Sequence, residues 1–189
     1  MSDATAQLLA ASQTLAERYT LAELSPARIS AAAAVDVAHF DAAFDGVLAY
    51  VEALQQQFMT GLRDRIVKVT AGTDPGLLRV KLASEAYLAG CLEQRRLRGW
   101  LIEARTQPLL ANGLRRQNQV YWMLVGSELS ALGWRHPQAA ARLFLAMINE
   151  ASVVEHRAGQ AVDSVREALW DFLDHGGPAP EPRSEPASL

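Results

Sequence analysis

A chain of 189 residues, half of them hydrophobic and 21% charged, is long enough to bury a substantial core as one domain, or as one domain with a small appendage. Its net charge of −3 excludes the strongly basic composition of proteins that hold a polyanion by ion pairs, and its single cysteine, Cys91, excludes an internal disulfide. Asp3 stands where a secretory signal needs positive charge, and no apolar run is long enough to cross a bilayer, so a cytoplasmic protein without membrane association is expected.

The hydrophobic period is helical almost throughout, with "VKVTAG" the only run of strand character, and predicts an all-α protein. A first helix is expected from Ala4 to Arg18, with Leu8, Leu9, Ser12 and Leu15 on its inward face. Ser25 is an N-cap residue and Pro26 suits the first helical position, so "PARISAAAA" starts a second helix. Asp36 caps a short third helix running to Phe44, and Gly46 separates it from a long one, Val47 to Val69. "AGTDPG" reads as a loop. Leu77 to Arg98 follows, broken at Gly99, then a short "WLIEARTQ" and a helix from Leu109 to Leu132 closed by Gly133. Gln138 to Arg157 and Gln160 to Asp174 complete the helices, with Gly159 between them. The Pro-, Gly- and Ser-rich residues 176–189 cannot repay the entropy of ordering and are expected to be disordered. No internal repeat is visible.

The segment "LSPARISAAAAVDVAHFDAAF" places a hydroxyl residue, Ser25, then Ile29, Ala33, Val35, Phe40 and Phe44 at fixed intervals. In this pattern, and in the helix order of nearly the whole chain, the sequence resembles the TetR family of bacterial transcriptional regulators. The resemblance implies a helix-turn-helix domain over residues 1–46, whose second helix enters the DNA major groove. It further implies a ligand-binding and dimerisation domain over residues 47–175, with a pocket for a small inducer and a homodimer made by the two C-terminal helices. The residues it points toward DNA are Ser25 and Arg28 on the first helix of the motif and Val37, Ala38, His39, Asp41 and Ala42 on the second.

Phe40 and Phe44, four apart, must share the inward face of that second helix, which leaves the other side chains outward. Family members commonly carry a tyrosine where Asp41 stands and a phosphate-gripping lysine where Val47 stands. Residues 1–60 hold two bases, Arg18 and Arg28, against seven acids, Asp3, Glu17, Glu23, Asp36, Asp41, Asp45 and Glu52, a net charge of −5. Phosphate contacts come mainly from Lys and Arg, so this surface approaches operator DNA against its own field. Backbone N–H groups at helix ends, or alanine and valine against a thymine methyl, remain available. His39 is either a donor to DNA or a solvated helix residue, and Asp41 either a cytosine reader or a solvated charge.

No HExxH, CxxC, GxSxG or glycine-rich phosphate loop occurs and the four histidines are scattered, so neither catalysis nor a metal or other cofactor is expected. The helix "QNQVYWMLVGSELSALGW" gathers aromatic and polar residues of the kind that line ligand cavities. Asn118, Tyr121, Trp122 and Trp134, with Tyr87 and Cys91 on a facing helix, are either a wall for a hydrophobic inducer or simple core. Two basic runs, Arg95, Arg96 and Arg98, and Arg115 with Arg116, are the better candidates for an anionic partner. Ala140, Phe144, Met147 and Ala151, then Val162, Leu169 and Leu173, recur at helical spacing and are the expected dimer contacts. The sequence thus leads to a homodimeric, ligand-responsive transcriptional repressor. The alternative is the same fold without DNA binding, working as a ligand-binding or protein-interaction module.

Overall fold

The computed structural model describes residues 3–177, with the side chains of residues 116 and 117 excepted, so the expected disorder of the tail falls almost entirely outside the described residues. No strand occurs among the described residues, and "VKVTAG" is the end of a helix, where the Thr70 hydroxyl donates to the Ile66 carbonyl at 2.8 Å. The first helix is a rod in two pieces, α1 (Asp3–Ala10) and α2 (Ser12–Arg18), with an irregular turn at Ala11 whose backbone stays right-handed. A short 3-10 turn, Leu21–Glu23, leads to α3 (Pro26–Ala33). There Ser25 caps as its residue type demands, its Oγ accepting from the Arg28 N–H at 3.3 Å.

Ala34 then turns the chain through the left-handed region at φ 56°, and Asp36 caps α4 (Val37–Ala43) by accepting from the Ala38 N–H at 2.8 Å. The long α5 (Gly46–Thr70) and α6 (Leu77–Glu93) follow, packed closely where Gly90 sits: a Cβ there would lie 2.5 Å from Leu62 Cδ2. The loop between them is pinned from farther along the chain, since the Gly76 N–H donates to the Glu128 carboxylate at 2.8 Å.

The α6 helix ends at Glu93, capped by Gln94, and not at Gly99, which lies inside α7 (Arg95–Ala104). The break re-aims α7 so that Leu97 and Trp100 enter the N-terminal core, with the Trp100 indole N–H donating to the Tyr19 carbonyl at 3.1 Å. Tertiary packing outweighs glycine's propensity here. Then come α8 (Pro108–Ala131), α9 (Pro137–Ala158) and α10 (Asp163–His175), the first two opening on proline. The last helix starts three residues later than expected because the chain past Gly159 is drawn onto buried Glu155. That carboxylate accepts from the Val162 N–H at 3.1 Å and from both Nε and Nη2 of Arg166 at 2.6 and 3.0 Å, and Arg166 also binds Glu85 of α6.

Two cores result. One joins α1 to α5 with α7 around Leu8, Ile29, Phe40, Tyr50, Leu54 and Trp100. The other joins α6, α8, α9 and α10 around Leu88, Leu129, Phe144, Ile148 and Leu169. Among the described residues no helix is long and apolar enough to cross a membrane, and no group of His, Cys, Asp and Glu side chains is placed to hold a metal ion.

Ala34 is the only non-glycine residue at positive φ among the described residues. Its Cβ carries a left-handed penalty of about 1–2 kcal/mol, partly offset by the smaller unfolded-state freedom of alanine. Ala34→Gly is therefore expected to stabilise the protein by up to about 1 kcal/mol in urea denaturation.

Candidate functional site

The outward surface of α4 is built by the burial of its aromatic face. Phe40 is fully buried and meets Phe44 at 5.4 Å and Tyr50 at 5.9 Å between ring centroids, so Val37, Ala38, His39, Asp41 and Ala42 are left in solvent while Ala43 turns partly inward. With α3 capped by Ser25 and the tight turn at Ala34, this is a helix-turn-helix. Its exposed face carries no lysine or arginine on α4. Of the two bases in residues 1–60, Arg28 is folded back on its own protein. Its guanidinium stands 4.9 Å from the Tyr19 ring centroid and donates to the Glu23 carbonyl.

Between α5, α6, α7, α8 and α9 lies a cavity of about 620 Å³, within the range that takes drug-sized ligands. Phe58, Met59, Leu101, Leu110, Phe144 and Ile148 make its apolar walls. The polar groups are few and linked. The Tyr87 hydroxyl donates to Asn149 Oδ1 at 2.9 Å, Ser152 Oγ donates to the Asn149 carbonyl at 2.6 Å, and Arg98 Nη2 donates to Ser152 Oγ. Burial pushes the Tyr87 phenol far above its usual range, which keeps it a donor. Two polar atoms at the wall have no partner among the described residues, Gln55 Oε1 and Arg98 Nε. His156, behind α7, is held below its usual pKa first by burial and then by the neighbouring Arg95, Arg98 and Arg157.

Of the six residues expected at a cavity wall, Tyr87, Asn118 and Tyr121 are there. The other three are not. Trp122 is half-buried away from the cavity lining, where the Arg142 guanidinium stands 5.0 Å from its ring centroid. Trp134 packs on Phe172 at 5.5 Å at the far end of the bundle. Cys91 is buried in the first core, and burial pushes its thiol up. Sequence reading missed the walls contributed by α5 and α7, although Gln55 gave a signal: it sits between Val51 and Phe58 on the buried stripe of α5 and is itself only 7% exposed. Of the basic runs, Arg95 holds the His156 carbonyl at 2.8 Å, Arg98 reaches the cavity, Arg115 donates to Asn112 on its own helix, and the Arg116 side chain lies outside the described residues.

The expected dimer contacts need correcting. Ala140, Phe144, Ala151, Leu169 and Leu173 are buried inside the single chain, Phe144 to 1% exposure, and form its second core. The most regular apolar stripe of each helix is the one that the chain uses for itself. Met147 and Val162 are partly buried, and the apolar residue that α9 turns outward is Leu143, at 61% exposure.

No family model and no curated protein matches the sequence. Solved structures do match the fold. A transcriptional regulator from Rhodococcus sp. Rha1 is similar over 92% of this chain and 97% of its own, with 18% identity and a TM-score of 0.74. The regulatory protein TetR from Rhodobacter sphaeroides is similar over 93% and 100%, with 16% identity and a TM-score of 0.72. A TetR-family transcriptional regulator from Streptomyces coelicolor covers 90% and 92%, with 18% identity and a TM-score of 0.65. The chain has a TetR-like all-α fold.

The cavity makes a direct test. Ala83→Phe adds a ring to its α6 wall and is expected to weaken uptake of the neutral dye Nile red about tenfold or more, read by fluorescence titration. Trp122→Ala, outside the cavity, should leave uptake within about twofold.

Proposed function

We propose that this chain is a ligand-responsive transcriptional regulator that acts as a homodimeric repressor, with residues 1–46 meeting DNA and residues 47–175 holding the ligand and the dimer contact. The observation that carries the reading is the shared framework of the two sites. The helices that wall the cavity, α5 and α7, are the same ones bonded into the N-terminal core, through the Tyr50 hydroxyl to the Leu8 carbonyl at 3.0 Å and through Trp100 to Tyr19. A ligand that fits one position of these helices better than another shifts the helix-turn-helix with them. Transcriptional regulation as the use of this fold is supported by the similar structures from Rhodococcus and Streptomyces, which are regulators. In this reading the protein works in the cytoplasm and no catalysis is assigned to it.

DNA contact in this reading rests on backbone N–H groups, helix ends and the Val37, Ala38 and Ala42 side chains, with Ser25 and His39 as donors. A second reading, the same fold without DNA binding, is favoured by one observation: Arg28, one of two cations in residues 1–60, is already occupied. A gel shift with the DNA flanking the protein's own gene decides between them. A sequence-selective complex with a shallow salt dependence is expected, and no complex at any salt selects the second reading. Asp41→Tyr with Val47→Lys should tighten binding and steepen the log–log salt slope by roughly one unit for the added phosphate contact. No gain would count against this placement of the motif.

The homodimer is assigned to the outward face of α9, with Leu143, Ala146 and Met147, beside α10. Light scattering should then give twice the chain mass of 20.6 kDa. Leu143→Asp is expected to yield a folded monomer, whereas Phe144→Asp, which buries a charge inside the chain, should unfold it. A folded dimer with Leu143→Asp would refute this interface.

A further inference from the structure

The cavity carries an excess of positive charge that the protein does not itself neutralise. Its lining holds four arginines, Arg63, Arg79, Arg98 and Arg105, against a single carboxylate, Glu128. Glu128 is already taken by Arg79 and the Gly76 N–H, and Arg63 pairs with Asp64 at the surface. Arg98 differs from the rest. Among the described residues its buried Nε has no acceptor and its Nη2 meets only the neutral Ser152 hydroxyl, while its guanidinium stands 5.9 Å from the Phe58 ring centroid. No carboxylate pairs with it among the described residues, and Glu155, one turn beyond Ser152 on α9, is held by Arg166. A guanidinium partly withdrawn from water is destabilising unless an anion meets it. Gln55, one turn from Phe58 on α5, adds a buried amide with an unpartnered oxygen, and turning that amide over offers its N–H donors instead.

We propose that the cavity binds an anionic amphiphile, a monocarboxylate on an apolar body, with its head on the Nε and Nη2 edge of Arg98 beside Gln55. The body lies along Phe58, Met59, Leu101 and Ile148 toward the mouth, where Val67 and Leu124 stand exposed. The fork of a guanidinium matches a carboxylate in two parallel hydrogen bonds, which selects a single planar anion over a neutral or cationic head. This assignment rests on the proposed role of the cavity as a ligand site and names the ligand's class.

The test uses the full chain with sodium decanoate, 1-decanol and decylamine, read by isothermal titration calorimetry and by the shift in melting temperature. Decanoate is expected to bind about tenfold or more tightly than either of the others, as a charge-assisted pair in a dry site provides. Arg98→Gln should weaken decanoate about tenfold or more while leaving decanol within about threefold. Equal binding of decanol or decylamine, or undiminished decanoate binding by Arg98→Gln, would overturn the anionic head and leave a ligand cavity standing. Failure of all three probes and of Nile red overturns the ligand site and this assignment together. If circular dichroism shows Arg98→Gln unfolded, Gln55→Leu carries the decision. A loss of about threefold for decanoate alone supports the assignment, and equal losses for decanoate and decanol overturn it.

Discussion

The hydrogen bond from the Tyr50 hydroxyl to the Leu8 carbonyl fixes how the two halves of the molecule are related. It is made in an aromatic cluster in which Phe44 meets Tyr50 edge-on at 5.4 Å and Phe40 stands 5.9 Å from Tyr50, in one core with residues of α1 and α3. Burial raises the pKa of this phenol far above its usual range, so the donor is permanent at any pH the protein meets. Since Tyr50 is on α5, the helix that walls the cavity is also the floor of the helix-turn-helix. The same cluster spends Phe40 of α4 and its C-cap Phe44 on packing, and the outer face that remains carries valine, alanine, histidine and aspartate.

Charge follows an inverted plan. A DNA-reading surface ordinarily keeps its cations outside, where releasing counterions drives association. Here the N-terminal cation Arg28 is laid over Tyr19, and Arg98 is turned into an apolar cavity. Arg166 is used to neutralise Glu155 in the second core, where removing either partner would strand a buried charge. Arg98 and Arg166 thus serve the interior, and residues 1–60 are left at −5.

Helix identity was legible because the signals are local. Ser25, Asp36, Pro26, Pro108 and Pro137 start helices by hydrogen-bonding and φ rules that act within a few residues, and Gly159 ends one at φ 75°. What failed was decided at long range. Gly99 stays helical because Trp100 must reach Tyr19, eighty-one positions away in the chain, and no propensity records that demand. The dimer stripe was misassigned for a related reason: periodicity identifies an apolar face but not what covers it, and Phe144 and Leu169 are covered by the chain's own helices. The aromatic residues of α8 divided in the same way, Tyr121 turning in and Trp122 out, since neighbours in sequence on a helix face different ways.

The α7 helix shows how a small displacement in one region reaches the other. Arg98, Leu101, Ile102 and Arg105 recur at intervals of three and four on its cavity side. Leu97, Trp100, Leu101 and Ala104 recur in the same way on the side that enters the N-terminal core. Leu101 belongs to both sets, so the two faces adjoin and the helix, only ten residues long, cannot move against the cavity without moving against Tyr19. Allosteric couplings are typically about 1–3 kcal/mol, the size of one or two hydrogen bonds to a charged group. In the proposed reading, an anion on Arg98, two residues from Trp100, would supply differential binding energy of that order at a helix that touches both regions.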